Sequence, residues 1–191
     1  MASYGARYLQ WAPFKASGAD ESEEAYPKYD APLNLGALMA VTDSISLASG
    51  EVRGDDDVDS RVDEFESMTV DVDVVEMTGE VAAKVFGAAL TEGQDVEYGV
   101  NDQSPYGGLA FYITKMSKNV KSYQGIYYPK VKASRQGTSY STKSKTVSFA
   151  NSKAHFEGFA AKNGRYQVQS KSFPTAAEAK AWVDKMVASS V

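Results

Sequence analysis

The residues best suited to chemistry are a pair of carboxylates and a single histidine. One valine separates Asp71 from Asp73, so in a strand both carboxylates lie on the same side. Paired carboxylates can carry out acid–base chemistry, but these two continue an acidic run, which favours a hydrophilic face. His155 is the only histidine, and its surroundings match neither a nucleophile elbow nor a zinc motif. The sequence therefore predicts no catalytic residue, no cofactor and no metal, and a protein that is not an enzyme.

A calcium-binding loop is the metal site that the acidic residues suggest most directly. Carboxylates stand at positions one, three, five, nine and twelve of the calcium-loop template, namely Asp55, Asp57, Asp59, Asp63 and Glu66. Ser60 stands where that loop requires glycine for its sharp turn, and the flanking segments have the pattern of strands. We therefore favour a solvated acidic loop over residues 49–63 that joins two strands of a hairpin. A hairpin loop of this length tends to be functional.

Residues 61–90 contain the strand that positions the paired carboxylates. Apolar residues alternate with polar ones, which predicts a strand with one buried face. These apolar residues are Met68, Val70, Val72 and Val74. A helical spacing follows, with Thr78 as its N-cap and Gly87 as the residue that ends it in the left-handed conformation. Glu80 and Lys84 are spaced as a favourable ion pair on this short helix.

Most of the remaining chain has the two-residue period of strands. Strands are predicted at 5–14, around Ile45, at 96–100, in a hairpin over 109–128, and at 146–150, 154–161 and 165–173. Pro129 predicts a strand end or an exposed edge. A helix is predicted at 175–187, where Thr175 and Glu178 form a capping box. Residues 1–191 are thus expected to form a single mainly β domain, an antiparallel sandwich or partly closed barrel with one short flanking helix and one C-terminal helix.

The charges are divided unevenly along the chain. Residues 1–100 carry 21 Asp and Glu against 6 Lys and Arg, whereas residues 101–191 carry 4 against 14. Opposite poles would allow copies to associate head-to-tail, unless folding interleaves the two halves. The basic half also raises nucleic-acid binding, because its cations alternate with aromatic residues that could stack on bases. These are Lys115, Lys118, Lys121, Lys130, Lys132, Arg135, Lys143 and Lys145, with Tyr112, Tyr123, Tyr127 and Tyr128.

Other classes of protein are disfavoured by composition. The chain has no cysteine, which leaves no disulfide framework and no thiolate chemistry. No apolar run approaches the roughly 18 residues of a membrane helix, and the N-terminal segment lacks the apolar core of a signal peptide. The sequence therefore predicts a protein that is made in a cytoplasm and has no membrane partner.

Residues 105–134, PYGGLAFYITKMSKNVKSYQGIYYPKVKAS, resemble the major tail proteins of long-tailed phages, of the phi13 type. The similarity extends over roughly residues 4–170 and includes an upstream acidic segment, a strand, a short helix and Gly87. It implies a tail tube protein of the virion, whose subunits form hexameric rings that stack into a hollow tube. It also implies as partners other copies of the chain and other tail proteins such as tape measure and terminator, with genome DNA passing through without specific binding.

Two hypotheses follow from this resemblance and the charges. The first is that an acidic wall of Glu64, Glu66, Asp71 and Asp73 faces the bore, because an acidic wall repels DNA and keeps it sliding. The second is that the acidic loop contacts a basic segment of the next ring. The residues expected in this contact are Asp55, Asp56 and Asp57 of the acidic loop, and Lys130, Lys132, Arg135, Lys143 and Lys145 of the basic segment. A tube protein of a phage-derived bacterial particle or secretion needle, and a nucleic-acid-binding β domain, are the alternatives.

Overall fold

The computed structural model describes residues 2–16, 19–20, 23, 25–54, 57–91, 95–137 and 151–188. These residues form ten strands and two helices. In chain order they are β1 (Ala2–Pro13), β2 (Leu33–Asn34), β3 (Leu38–Gly54), β4 (Asp57–Val74), α1 (Gly79–Phe86), β5 (Ala89–Leu90), β6 (Val96–Glu97), β7 (Tyr106–Ser117), β8 (Val120–Arg135), β9 (Ser152–Gly158), β10 (Val168–Gln169) and α2 (Ala176–Met186).

One antiparallel sheet dominates the fold. Its strands run in the order β2-β1-β7-β8-β9-β4-β3, and β10 pairs with β8, while β5 and β6 form a separate pair. The sheet curls so that parts of β1 and β3 approach within 8 Å between Cα atoms, but no ladder of hydrogen bonds joins these two strands. The mainly β, antiparallel prediction is confirmed. The described strands form an open curled sheet, and the finer prediction of a sandwich or partly closed barrel is not shown.

The concave side of the sheet holds the larger core. The predicted alternation in β4 is confirmed, because Met68, Val70, Val72 and Val74 are all buried there. The helix α1 packs its Val85 and Phe86 against the same core. Gly87 ends this helix with φ of 70° and donates its N–H to Ala83, and Lys84 Nζ lies 2.7 Å from Glu80 Oε1. Thr78 is the N-cap by backbone geometry, although its side chain makes no capping bond.

A second, smaller core lies on the other side of β7 and β8, beneath α2. Ala179 and Val183 of this helix are buried against the sheet. The ring of Trp182 lies directly over Gly125 of β8, where a side chain would overlap it. Thr175 Oγ1 accepts a hydrogen bond from the Glu178 backbone N–H, as the capping box predicts. The predicted C-terminal helix is therefore confirmed, and tertiary contacts fix it to the sheet.

Pro129 lies inside β8 and is buried, which contradicts the prediction that it ends a strand or marks an exposed edge. The register between β7 and β8 shifts there, with Leu109 opposite Tyr128 and Gly107 opposite Val131. A bulge of this kind lets a strand contain proline, because the missing N–H falls where the ladder is already interrupted. The Pro129 carbonyl accepts a hydrogen bond of 2.6 Å from Tyr29 Oη.

A cluster of tyrosines occupies the smaller core around this bulge. The hydroxyls of Tyr29 and Tyr127 are hydrogen-bonded to each other, and burial raises the pKa of both phenols above the ordinary value of 10.0. Tyr8 reaches α2 from β1, where its hydroxyl donates to Asp184 over 2.8 Å. Partial burial, then this bond to Asp184, raises the pKa of Tyr8 to about 12. These phenols are therefore neutral over the physiological pH range.

Residues 49–63 were expected to be a loop, and this prediction is wrong. Residues 49–54 and 57–63 continue β3 and β4, which stay paired up to Gly54 and Asp57. Asp63, which lies in this part of β4, is exposed, and an exposed charged side chain is compatible with a strand. The strand pairing also removes the calcium-loop alternative for residues 57–63, while Asp55 and Asp56 lie outside the described residues.

The strand predictions nearer the C-terminus have mixed outcomes. Residues 154–161 are confirmed in part as β9, whereas 165–173 contain only β10 and a single bridge between Tyr123 and Phe173. Residues 146–150 lie outside the described part of the chain. A turn follows at residues 162–164, where Gly164 has φ of 73° and donates its N–H to the Ala161 carbonyl over 2.8 Å.

Candidate assembly surfaces

The convex face of β4 carries the paired carboxylates. Asp71 and Asp73 alternate with buried valines, so both side chains point away from the core. The Asp71 side chain is 59% exposed and that of Asp73 is 34% exposed. The structure thus brings these two predicted residues together on one polar face, which we call the β4 polar face.

The two glutamates further along β4 reach solvent through a bulge. Ser67 pairs with Ser46 and Phe65 pairs with Leu47, so Glu66 has no partner in β3. Because of this extra residue, Phe65 stays on the core side, where its ring stacks on Tyr166 with centroids 4.3 Å apart. Strict alternation would have placed Glu64 on the core side, and the bulge instead places it on the β4 polar face. Both glutamates are exposed.

Basic side chains of β9 lie beside the carboxylates of β4. His155 is the register partner of Asp71, and its Nδ1 lies 2.6 Å from Asp71 Oδ1. Lys153 is the register partner of Asp73, with 4.0 Å between Nζ and Oδ1. Exposed pairs of this kind contribute about 0–1 kcal/mol each to stability. The β4 polar face is therefore of mixed charge near β9 and acidic at Glu64 and Glu66, whereas the sequence predicted a uniformly acidic wall.

One row on this face has the residue types of a catalytic triad. Ser134 of β8 is the register partner of His155, which in turn pairs with Asp71 of β4. Within the described residues, however, no hydrogen bond joins Ser134 to His155. Nucleophilic catalysis needs the serine within hydrogen-bond reach of its base and donors for the oxyanion. The row therefore gives no support for hydrolysis.

The distal part of the β3–β4 hairpin projects beyond the rest of the sheet. Strand β9 ends opposite Met68, so residues 46–54 and 57–67 pair only with each other among the described residues. We call this two-stranded ribbon the β3–β4 arm. At about 3.3 Å per residue, it extends about 35 Å past the end of β9.

The apolar stripe of the core continues along one side of the β3–β4 arm. Ile45, at the base of the arm, pairs with Met68, and Leu47, within the arm, pairs with Phe65, so both lie on the core side. Ile45 is nevertheless 41% exposed and Leu47 54% exposed, because the core ends before it reaches them. On the opposite side of the arm, Val62 is 55% exposed. Apolar surface is therefore uncovered on both sides of the arm.

The predicted basic segment is divided by the fold. Lys130 Nζ binds Asp20 Oδ2 at 2.8 Å, and the same carboxylate accepts from the Lys162 backbone N–H at 2.9 Å. Lys130 is thereby held within its own chain and is only 25% exposed. No local sequence pattern links Lys130 to Asp20, because the two residues are 110 positions apart. Lys143 and Lys145 lie outside the described residues.

Lys132 and Arg135 line a surface cleft near the end of β8. The cleft has a volume of about 530 Å³ and is closed on its other side by the connector between β6 and β7, which supplies Tyr98, Gln103 and Ser104. The Arg135 guanidinium lies 3.9 Å from the centroid of the Tyr98 ring. We call this the Arg135 cleft. Sequence reasoning missed its connector wall, since NDQSPYGG indicates only turns.

The tyrosines that could have stacked on nucleic-acid bases are largely unavailable. Tyr127 and Tyr128 are 0% and 1% exposed, and Tyr112 is 9% exposed. Tyr112 and Tyr123 pack edge-to-face, with centroids 6.1 Å apart. Tyr128 belongs to the larger core, whereas Tyr112 and Tyr127 belong to the smaller one and Tyr123 packs against it. This burial removes the main sequence argument for a nucleic-acid-binding surface.

Within the described ranges, no group of three or more His, Asp or Glu side chains is placed to hold a metal ion. Neither described helix is long and apolar enough to cross a membrane. The chain matches no protein-family model and no curated protein. The resemblance to phage tail proteins therefore stays a prediction from the sequence.

Proposed function

We propose that this chain is a tail tube protein, a structural component of a phage virion. Copies of it assemble into stacked hexameric rings whose bore conducts the genome, and the chain performs no chemistry. The observation that carries this proposal is the β3–β4 arm, which projects about 35 Å from the sheet and leaves apolar side chains uncovered in the single chain.

The arm is best explained by a neighbouring copy. An isolated two-stranded ribbon is only marginally stable in water. Among the described strands, β3 is at the edge of the sheet, and its outer backbone groups pair with none of them, which favours pairing with another strand. A copy that covers Ile45 and Leu47 stabilises the ribbon by burying their exposed surface. Such a contact joins two different surfaces of the same chain, and contacts of this type generate rings and stacks.

The β4 polar face is suited to line the bore. A conduit must not retain DNA, and each unpaired cation on its wall would add an attraction that repeats in every subunit. Lys153 lies against Asp73, so its charge is compensated within the wall, and His155 contacts Asp71. Glu64 and Glu66 add negative charge. The β4 polar face, although of mixed charge, is therefore suited to line a bore that does not retain DNA.

A tube protein of a phage-derived bacterial particle or secretion needle would assemble in the same way. Such a protein would use the same arm and polar face, so it is a variant of this proposal. Genes for a tape measure protein and a capsid beside this one would indicate a phage.

Sedimentation velocity and negative-stain microscopy test the proposal. The wild-type protein should form rings or hollow rods as its concentration rises. A matched variant replaces residues 47–66 with Asn-Gly, so that a tight two-residue turn joins Ser46 to Ser67. It should stay monomeric while keeping a cooperative thermal transition. Wild-type monomers at every concentration, or a shortened variant that assembles as well as the wild type, would contradict the proposal.

A further inference from the structure

Two lysines of β8 lie around one exposed aromatic ring. The ammonium groups of Lys130 and Lys132 lie 5.3 and 5.5 Å from the centroid of the Tyr106 ring. Tyr106 is 39% exposed, and its ring packs edge-to-face against Phe159 with centroids 5.7 Å apart. Nucleic acids bind to surfaces that offer ammonium groups to their phosphates and an aromatic ring to their bases. We call Tyr106, Lys130 and Lys132 the Tyr106 patch.

Strand register places the Tyr106 patch beside the β4 polar face. One row of register partners crosses four strands, and it consists of Tyr106, Lys132, Glu157 and Thr69. Thr69 precedes Asp71 by two positions in β4, so the row lies on the same side of the sheet as the β4 polar face. Lys132 is two strands away from β4, or about 10 Å. Within the described residues, no ion pair joins Lys132 to Glu157.

An acidic segment of the same chain neutralises one of the two lysines. Residues 15–28, which we call the strap, contain four carboxylates against two ammonium groups. The Asp20 carboxylate binds Lys130 Nζ at 2.8 Å through one oxygen and accepts from the Lys162 backbone N–H at 2.9 Å through the other. The Asp20 side chain is only 13% exposed. The strap therefore places a fixed negative charge against the Tyr106 patch.

Other contacts hold the strap in place without the charge of Asp20. The Asn163 side-chain amide donates to the Ala25 carbonyl at 3.1 Å, and the Arg165 guanidinium donates to Tyr26 Oη at 2.8 Å. The ring of Tyr26 packs edge-to-face on the buried ring of Tyr127. A variant that removes only the charge at position 20 should therefore keep the strap on the sheet.

We propose that the strap is an autoinhibitory contact, in which Asp20 neutralises Lys130 so that the Tyr106 patch does not bind DNA. Each ammonium group on a phosphate adds a salt-dependent attraction. An unmasked Lys130 would repeat that attraction in every copy, beside the face that we assign to the bore. The need for masking rests on the proposed function, whereas the masking itself is a property of the single chain.

The variant Asp20→Asn tests this contact, because asparagine retains an acceptor for the Lys162 N–H and removes the negative charge. Fluorescence anisotropy with a labelled DNA duplex at about 50 mM salt should show binding about 10-fold tighter than that of the wild type. The slope of log affinity on log salt concentration should steepen by about 1, as expected for one additional phosphate contact. Adding Lys130→Gln should abolish both gains.

Two further variants complete the experiment. The control Glu23→Gln makes the same change in net charge at an exposed residue of the strap and should bind DNA like the wild type. Glu157→Gln removes the other carboxylate of the register row without altering the strap, and it should also tighten DNA binding. It keeps the test decisive if Asp20→Asn lacks a cooperative thermal transition.

The outcomes separate this inference from the proposed function. A folded Asp20→Asn variant that binds DNA no better than Glu23→Gln would overturn the inference and leave the tube proposal intact. A gain in affinity that survives Lys130→Gln would also overturn it, as would an Asp20→Asn variant that self-associates instead of binding DNA. Wild-type protein that never assembles would contradict the proposed function alone, because DNA binding is measured on the single chain.

Discussion

Replacing the exposed apolar residues Ile45, at the base of the β3–β4 arm, and Leu47, within it, should weaken assembly without unfolding the chain. The variant Ile45→Thr/Leu47→Thr keeps the β propensity of both positions and removes most of their apolar surface. Full burial of such a side chain contributes about 1.5–3 kcal/mol, and about half of each one, 41% for Ile45 and 54% for Leu47, is still exposed in the single chain. Covering that remainder in a neighbouring copy therefore contributes about 2 kcal/mol for the pair.

At 1.4 kcal/mol for each factor of ten, this loss corresponds to a contact about 30-fold weaker. Sedimentation velocity over a dilution series should show half-assembly at a correspondingly higher concentration. The control Val120→Thr changes a residue that is 67% exposed and lies outside the arm, so it should assemble like the wild type. An unchanged assembly midpoint in the double variant would refute the argument that the arm is an interface, provided that the wild type assembles.

Three further predictions concern the folded chain. Tyr29→Phe should lower the free energy of unfolding by about 1–3 kcal/mol in urea titrations, because the buried Pro129 carbonyl loses its donor. Gly125→Val should displace α2 and shift Trp182 fluorescence to longer wavelength, because the added side chain would overlap the indole ring. Burial raises the pKa of Tyr29 and Tyr127 above the ordinary value of 10.0, so their contribution to stability should be complete below pH 10 and fall as the pH rises further. Thermal melts between pH 8 and about pH 11 should show this loss, and Tyr29→Phe should reduce its slope.

Local patterns were sufficient for elements whose residues face a single environment. Alternation in β4 predicted its buried valines, and the capping residues predicted both helices, because burial and capping depend on residues a few positions apart. The register in which two distant strands pair is not contained in such local patterns. The pairing of Asp71 with His155 depends on how β4 meets β9, which are separated by about half the chain. The sequence therefore predicted a polar face but not the cations that share it.

The errors arose where a residue type was interpreted without its three-dimensional setting. Pro129 indicates an edge when sequence is considered alone, yet a bulge removes the need for its N–H in the centre of the sheet. The acidic composition of residues 49–63 indicates a loop, yet residues 49–54 and 57–63 continue the pairing of β3 with β4. A sandwich or partly closed barrel was expected from the number of strands, and the degree of closure depends on curvature that a linear pattern does not encode.

Electron cryo-microscopy of the assembled protein, viewed along the particle axis, tests the central claim most directly. The account predicts a hollow particle built from repeated copies of this chain, with the β4 polar face and its Asp71 lining the bore. A particle without a bore, or a hollow one in which Asp71 lies on the outer surface, would contradict it.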